Sequence, residues 1–296
     1  MNFENIIGND KIKKYLNREL ENNTVLHSYI FSGMESIGKM LFAKEFAKNI
    51  LCLKEKNNNC NCKSCLCFNS ENHPDFEIIN ENGETIKIEQ IRSLTSKIIE
   101  KPIISEKKIY IINDAEKMTK EAQNCLLKTL EEPPEFAAII LITSNVNLLL
   151  NTVVSRCVKI EFENIPSDIL RKYCIENLEY GELDNSVLES FNGSIGKAIE
   201  YKENKIEYAL IEKNINNLNQ ITVVDLLNEL KTLYNKEKIN NYLNYMITCI
   251  YIKTKEDKKY LNCIKYVTET ISKIKLNGNL DMNLDMLLIK IWEEIN

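Results

Sequence analysis

Up to residue 162 the chain alternates near-continuous apolar runs with segments of helical period. Residues 28–32, 75–80, 108–113, 138–143 and 158–162 read as strands. Their apolar positions do not alternate with polar ones, so both faces of each strand must be covered. Residues 10–22, 39–54, 91–100 and 120–132 read as helices. The first places Ile12, Leu16 and Leu20 on one face; the second is expected to turn Leu41, Phe42, Phe46, Ile50 and Leu51 toward a core. Pro102 and Pro133-Pro134 stop the last two helices, because proline lacks the N–H a helix needs. Strands and helices in this alternation specify an α/β domain, a parallel sheet with helices on both faces.

Beyond Pro166 no segment reads convincingly as a strand. Residues 167–178 and 186–191 read as short helices, 193–198 opens a third, and long helices follow from about Lys205. Thr222 and Asp225 form a capping-box-like helix start. The expected layout is an α/β domain over 1–163, a small three-helix domain over 164–203 and an all-α domain over 204–296. The short Asn57-Asn58-Asn59 tract reads as a turn.

Gly33-Met34-Glu35-Ser36-Ile37-Gly38-Lys39-Met40 follows the first strand and opens a helix, matching the G-x-x-x-x-G-K phosphate loop in its required context. In such loops, backbone N–H groups cradle phosphates and the Lys reaches the outer ones. The next position should carry a hydroxyl for Mg²⁺, but Met40 offers a thioether, a poor ligand for a hard cation. Glu35 adds a carboxylate beside the would-be phosphates. The second nucleotide element, Ile111-Ile112-Asn113-Asp114-Ala115-Glu116, has Asn113 at its first acidic position, while Asp114 could still act as a base. Gly33, Gly38, Lys39, Met40, Asn113 and Asp114 therefore form a degenerate nucleotide site. It is either a relic kept for loop geometry or a weak binder without useful turnover, and no bound nucleotide is expected.

Composition narrows the partners. With 38 basic against 43 acidic residues the net charge is −5, which disfavours holding a duplex on the chain's own surface. Only four of the basic residues are Arg: Arg18, Arg92, Arg156 and Arg171. No apolar run approaches the roughly 18 residues of a membrane span. The first residues lack a signal peptide's basic start and apolar stretch. A cytoplasmic location is expected, with no membrane partner, and there ten Cys are not a disulfide framework.

Asn124-Cys125-Leu126-Leu127-Lys128-Thr129-Leu130-Glu131-Glu132-Pro133-Pro134, followed by Ser155-Arg156-Cys157, resembles the clamp-loader branch of the AAA+ ATPases. Ile6-Ile7-Gly8 and His27-Ser28-Tyr29-Ile30-Phe31-Ser32-Gly33 are similar to the same group. The resemblance is strong through about residue 200 and architectural beyond. It implies an AAA+ P-loop domain, a small helical lid and a helical collar that joins homologous subunits. Motor (gamma/tau) subunits carry an intact loop, an acidic metal-binding pair and a sensor Arg in the lid. Gly196 stands where that Arg would fall. Defects at three elements fit a non-motor subunit of the bacterial DNA polymerase III loader, with an ATP-hydrolysing motor subunit as the alternative.

That likeness implies further expectations. Arg156 would reach across an interface as an arginine finger toward a neighbouring motor subunit's ATP, whereas Arg18 and Arg92 read as structural. No intrinsic ATPase is expected. Partners would be gamma/tau-like motor subunits and a delta-like subunit in a heteropentamer, with the sliding clamp and primed DNA met indirectly. The chain would thus be part of a DNA-directed DNA polymerase holoenzyme, a nucleotidyltransferase complex.

Five Cys crowd the span 52–67, in the spacing C-x₇-C-x-C-x₂-C-x-C. Four thiolates around one tetrahedral Zn²⁺ make a closed structural site. By likeness to the family's zinc module, which ends in His-Pro-Asp (here His73-Pro74-Asp75), the ligands would be Cys52, Cys60, Cys62 and Cys65. The module would span 52–73. Cys60-Asn61-Cys62 is one residue short of the usual knuckle, and Cys67 could substitute for one ligand. His73 reads as a loop or capping residue.

Overall fold

The computed structural model describes residues 3, 6–54, 60–80, 84–181, 183, 185–235, 238–255, 257–276 and 278–296. The Asn57-Asn58-Asn59 turn lies outside them. The described chain divides into two compact units, Met1–Ile169 with Gly193–Gly196, and Leu170–Asn192 with Lys197–Asn296.

In chain order the first unit begins with α1 (Asp10–Glu21), β1 (Ser28–Ser32), α2 (Lys39–Leu51), α3 (Lys63–Asn69) and β2 (Phe76–Ile79). It continues with α4 (Ile88–Ile98), β3 (Lys108–Ile112), α5 (Lys120–Glu131), β4 (Ala137–Thr143), α6 (Asn151–Val154) and β5 (Val158–Glu161). The strands form one sheet in the order β2-β3-β4-β1-β5, and every pairing is parallel. Central β1 aligns Ser28 with Ile139 of β4 and Tyr29 with Val158 of β5.

Side chains two apart along a strand share a face, and both faces here are buried. Tyr29 and Phe31 of β1, with Ala138, Ile140 and Ile142 of β4, pack against Leu16, Phe42 and Phe46 from α1 and α2. Ile30, Ile139 and Leu141 face the other way, onto Ile91, Leu94 and Leu126 from α4 and α5. This two-sided cover is why β1, β3 and β4 are buried along their whole length. Edge strand β5 buries only Ile160. One expectation fails: Leu41 is 54% exposed. The inward stripe of α2 runs through Phe42, Ala43, Phe46 and Ala47, and at about 100° per residue Leu41 falls off its edge.

The second unit is helical. After the start of α7 (Ser167–Leu178) come α8 (Asn185–Ser190), α9 (Ile195–Glu203), α10 (Lys205–Asn216), α11 (Val223–Leu230), α12 (Ile239–Thr254), α13 (Tyr260–Lys275) and α14 (Leu280–Ile295). Among the described residues no strand follows β5. Thr222 Oγ1 accepts the Asp225 N–H at 3.2 Å, capping α11. One core joins α10 to α14 through Ile211, Leu226, Leu243, Ile250, Cys263 and Ile291. Among the described residues no helix is long and apolar enough to cross a membrane.

The stripe on α2 yields a contrast. Phe46→Ala should destabilise the first unit by about 3–5 kcal/mol, whereas Leu41→Ala should stay within about 0.5 kcal/mol. Urea unfolding followed by amide exchange in β1 and β4 distinguishes the two; equal losses would refute the placement of α2.

Candidate functional site: a degenerate phosphate loop, a thiol cluster and Arg156

Parallel strands put all their C-terminal ends on one edge of the sheet, where α/β proteins bind ligands. The loop from Gly33 to Gly38 leaves β1 at that edge. Gly38, at φ 98°, supplies the left-handed turn that starts α2. Lys39 is buried, and its ammonium donates to the Gly33 carbonyl at 2.7 Å and the Met34 carbonyl at 2.6 Å. Burial pulls its pKa below the usual lysine value, while Glu116, Glu35 and Asp114 oppose the fall. The loop lysine thus bonds to its own loop, with three carboxylates close enough to act on it. Met40 packs against the core on the α1–α2 side of the sheet.

The second element stands at the end of β3. Asn113 faces its neighbour β2, with its Nδ2 donating to the Asn80 carbonyl at 3.4 Å. Asp114 adopts a left-handed φ of 47° and pairs with Lys117 at 2.9 Å. The sequence reading passed over Glu116. Its carboxylate accepts the Ser144 N–H at 2.9 Å and the Ser144 hydroxyl, tying the ends of β3 and β4 together. Burial works to raise its pKa, but the bonds from Ser144 outweigh it and hold Glu116 below the usual carboxylate value.

Gly193–Gly196 packs with this unit, directly on the loop. Ser194 Oγ donates to the Ser36 carbonyl at 2.6 Å. A Cβ at Gly196 would lie 2.7 Å from that same oxygen, inside any permitted contact. Position 196 therefore admits no side chain while the loop keeps this shape.

Four thiols meet at the far end of α2. The sulfurs of Cys52, Cys60, Cys62 and Cys65 all lie within 4.8 Å of one another, an arrangement that can hold one metal ion. Four sulfurs at about 2.3 Å from a tetrahedral Zn²⁺ would be about 3.8 Å apart, so the group needs little adjustment. Local structure explains the set. Cys52 caps the end of α2. Cys62 is extended, which lets Cys60, two residues back, share its side. Cys62 also caps α3 and accepts the Cys65 N–H at 3.5 Å. Burial opposes its ionisation, but N–H groups of Cys65 and Leu53 bring the Cys62 thiol down to about 6. Cys67 is not in the group; two residues past Cys65, α3 has turned it about 200° away.

His73 supports the cluster from outside. Its Nδ1 accepts the Asp75 N–H at 3.0 Å, and its Nε2 lies 2.9 Å from Ser64 Oγ and 3.2 Å from Ser105 Oγ. Both hydroxyls also donate to the Leu51 carbonyl, beside Cys52. Buried Asp75 accepts the N–H groups of Ile103, Ile104 and Ser105 at 2.7–2.8 Å. Only His73, as a capping residue, was foreseeable from sequence; Ser64 and Ser105 carry no motif.

Arg156 lies on the other edge of the sheet. It follows α6 and precedes β5, and its carbonyl accepts Ser28 Oγ, at the start of β1, at 2.8 Å. The phosphate loop begins at the opposite end of β1, roughly 17 Å away at about 3.3 Å per residue. The guanidinium pairs with Glu131, at the end of α5, and donates to the Thr152 carbonyl at 2.8 Å.

Comparison with known proteins places this architecture. The family described as DNA polymerase III, delta subunit, matches residues 8–166, more than half of the chain. DNA polymerase III subunit delta' of Bacillus subtilis is 32% identical over 195 residues, 66% of this chain and 59% of that protein. DNA polymerase III subunit gamma/tau of Mycoplasma pneumoniae is 35% identical over 178 residues, 59% of this chain and 26% of that protein. The chain thus spans under two thirds of the length of either relative. A crystal structure of a DNA polymerase III gamma subunit-related protein from Thermotoga maritima shares the fold. It has a TM-score of 0.62 at 20% identity, covering 96% of this chain and 99% of that one. The chain belongs to the DNA polymerase III delta family, in its delta-prime, clamp-loader branch.

Proposed function

We propose that the chain is a non-motor subunit of the polymerase III clamp loader that completes a neighbouring motor subunit's ATP site with Arg156. The observation that carries this reading is the separation of Arg156 from its own loop by the length of β1. An arginine on that edge has no access to its own loop but is free to face another subunit's. A guanidinium placed at a neighbour's γ-phosphate neutralises charge that develops in the transition state. The chain's own loop is unsuited to the task, with Lys39 bonded to loop carbonyls, Met40 offering only a thioether and Asn113 no charged ligand for Mg²⁺.

In this reading residues 1–163 form the AAA+ domain, 164–203 a lid and 204–296 a collar shared with gamma/tau-like motor subunits and a delta-like subunit in a heteropentamer. The assembly works in the cytoplasm and couples ATP hydrolysis to placing the sliding clamp on primed DNA. Cys52, Cys60, Cys62 and Cys65 hold one Zn²⁺ that cross-links the end of α2 to α3 and takes no part in ATP chemistry. A second reading, an ATP-hydrolysing motor subunit, draws support from the retained Lys39.

Arg156→Ala in the assembled loader should lower DNA-stimulated turnover at the abutting ATP site by at least about a hundredfold, with ATP binding by the motor subunits unchanged. An unaltered single-turnover rate would defeat the proposal. Titration of the isolated chain with labelled ATP should detect no binding at millimolar nucleotide; tight Mg²⁺-dependent binding would favour the motor reading instead. Metal analysis should find one Zn²⁺ per chain. Ser in place of Cys52, Cys60, Cys62 or Cys65 should release it, and Cys67→Ser should not. Equal retention in all five variants would rule out the assigned set.

A further inference from the structure

Arg156 is held in place rather than left to solvent. Its backbone N–H donates to the Val153 carbonyl at 3.1 Å, and its carbonyl accepts Ser28 Oγ. Its side chain is anchored on two separate elements. Nη1 donates to the Thr152 carbonyl in α6, and Nη2 donates to Glu131 Oε1 at the end of α5. Ser155 Oγ lies 3.5 Å from Nη1 and adds little.

Glu131 is badly placed for helix stability. It stands in the last turn of α5, at the negative pole of the helix, where a cation is favoured. Glu132 follows at the cap, and Pro133-Pro134 prevents the helix from running on. A carboxylate at this point therefore needs another reason, and its partner Arg156 supplies one. The rigid stop after α5 also fixes where the carboxylate sits.

We propose that Glu131 is the positioning residue for Arg156, holding the guanidinium in the orientation from which it meets the neighbour's phosphate. The inference rests on the finger reading above. The donor count allows it. A guanidinium has five N–H groups in a fixed fork. Thr152 and Glu131 take one each, and among the described residues no bond is made by Nε. Nε–H and the remaining Nη hydrogens stay free for phosphate oxygens, so docking does not require Glu131 to let go. Glu131 acts as a clamp and not as a competitor. A clamp of this kind removes the search through side-chain rotamers before the chemical step, and misplacement by even 1 Å can cost about a hundredfold in rate.

Two measurements test this together. With only four Arg in the chain, ¹⁵N-arginine labelling of the full-length protein resolves the side chains of Arg18, Arg92, Arg156 and Arg171 individually. Arg156, assigned by its loss in Arg156→Lys, should show slowed guanidinium rotation beside the exposed Arg18 and Arg92. Glu131→Ala should abolish the slowing, and Glu131→Gln, which keeps one acceptor, should retain part of it. In the assembled loader, Glu131→Ala should lower kcat for DNA-stimulated ATP hydrolysis about tenfold or more, with KM for ATP changed less than about twofold. Glu131→Gln should recover part of the loss, and the Glu131→Ala, Arg156→Ala double variant should be no worse than Arg156→Ala alone. A rate loss in Arg156→Ala with none in Glu131→Ala would overturn the positioning role and leave the finger standing. Additive losses would overturn it too, by showing that Glu131 acts elsewhere. A freed Arg156 side chain with normal turnover in both single variants would remove the finger itself.

Discussion

Parallel pairing of five strands is the constraint on which the rest of the molecule depends. Because every strand points the same way, loops that follow strands gather on one edge and segments that lead into strands gather on the other. The phosphate loop follows β1, and Arg156 leads into β5. No local adjustment moves one to the other without breaking the β1–β5 register, whose Ser32↔Glu161 and Tyr29↔Val158 pairs fix the two strands end to end. A chain of this topology keeps its arginine remote from its own nucleotide loop.

Helix α2 is the element that couples the two chemistries of the first unit. It starts at Gly38, the turn that shapes the phosphate loop, and ends at Cys52, the first thiol of the cluster. Its end is held twice, by the sulfur group and by Ser64 and Ser105 donating to the Leu51 carbonyl. Its middle is packed on the sheet by Phe42 and Phe46. The insertion that carries Cys60, Cys62 and Cys65 is short, and buried Cys62 and Cys65 are among the few side chains it encloses. Cross-linking through a metal would do for it what a hydrophobic core does elsewhere.

Much of this was legible in the sequence, and the limits have a physical pattern. The strands stood out because both-sided burial leaves an unbroken apolar run, and the phosphate loop and clustered Cys stood out because their spacings are local. The four thiols that meet are the four that the family likeness pointed to, while the spacing alone left Cys67 open as a substitute. What escaped depends on contacts between residues far apart in sequence. Glu116 to Ser144, Ser194 to Ser36 and Glu131 to Arg156 are single polar side chains with no periodic signal. Leu41 failed for a different reason: apolar character alone does not decide which side of a helix stripe a residue takes.

The phosphate loop is held in shape by bonds within the protein. A phosphate loop is a ring of backbone groups that needs a partner at its centre, and the partner is normally an anion backed by the loop lysine. Here the lysine turns back, and its ammonium satisfies the Gly33 and Met34 carbonyls. Ser194 bonds the Ser36 carbonyl from outside, and Gly196 leaves room for that oxygen because it has no Cβ. Left-handed Ser36 and Gly38 are thereby held by bonds within the protein. The loop retains its shape, α2 retains its starting point, and the sheet edge stays closed. Met40 and Asn113 take no part in these bonds: Met40 packs on the core, and Asn113 bonds the Asn80 carbonyl. Lys39 is thus bonded to its own loop, and burial holds its pKa below the usual lysine value.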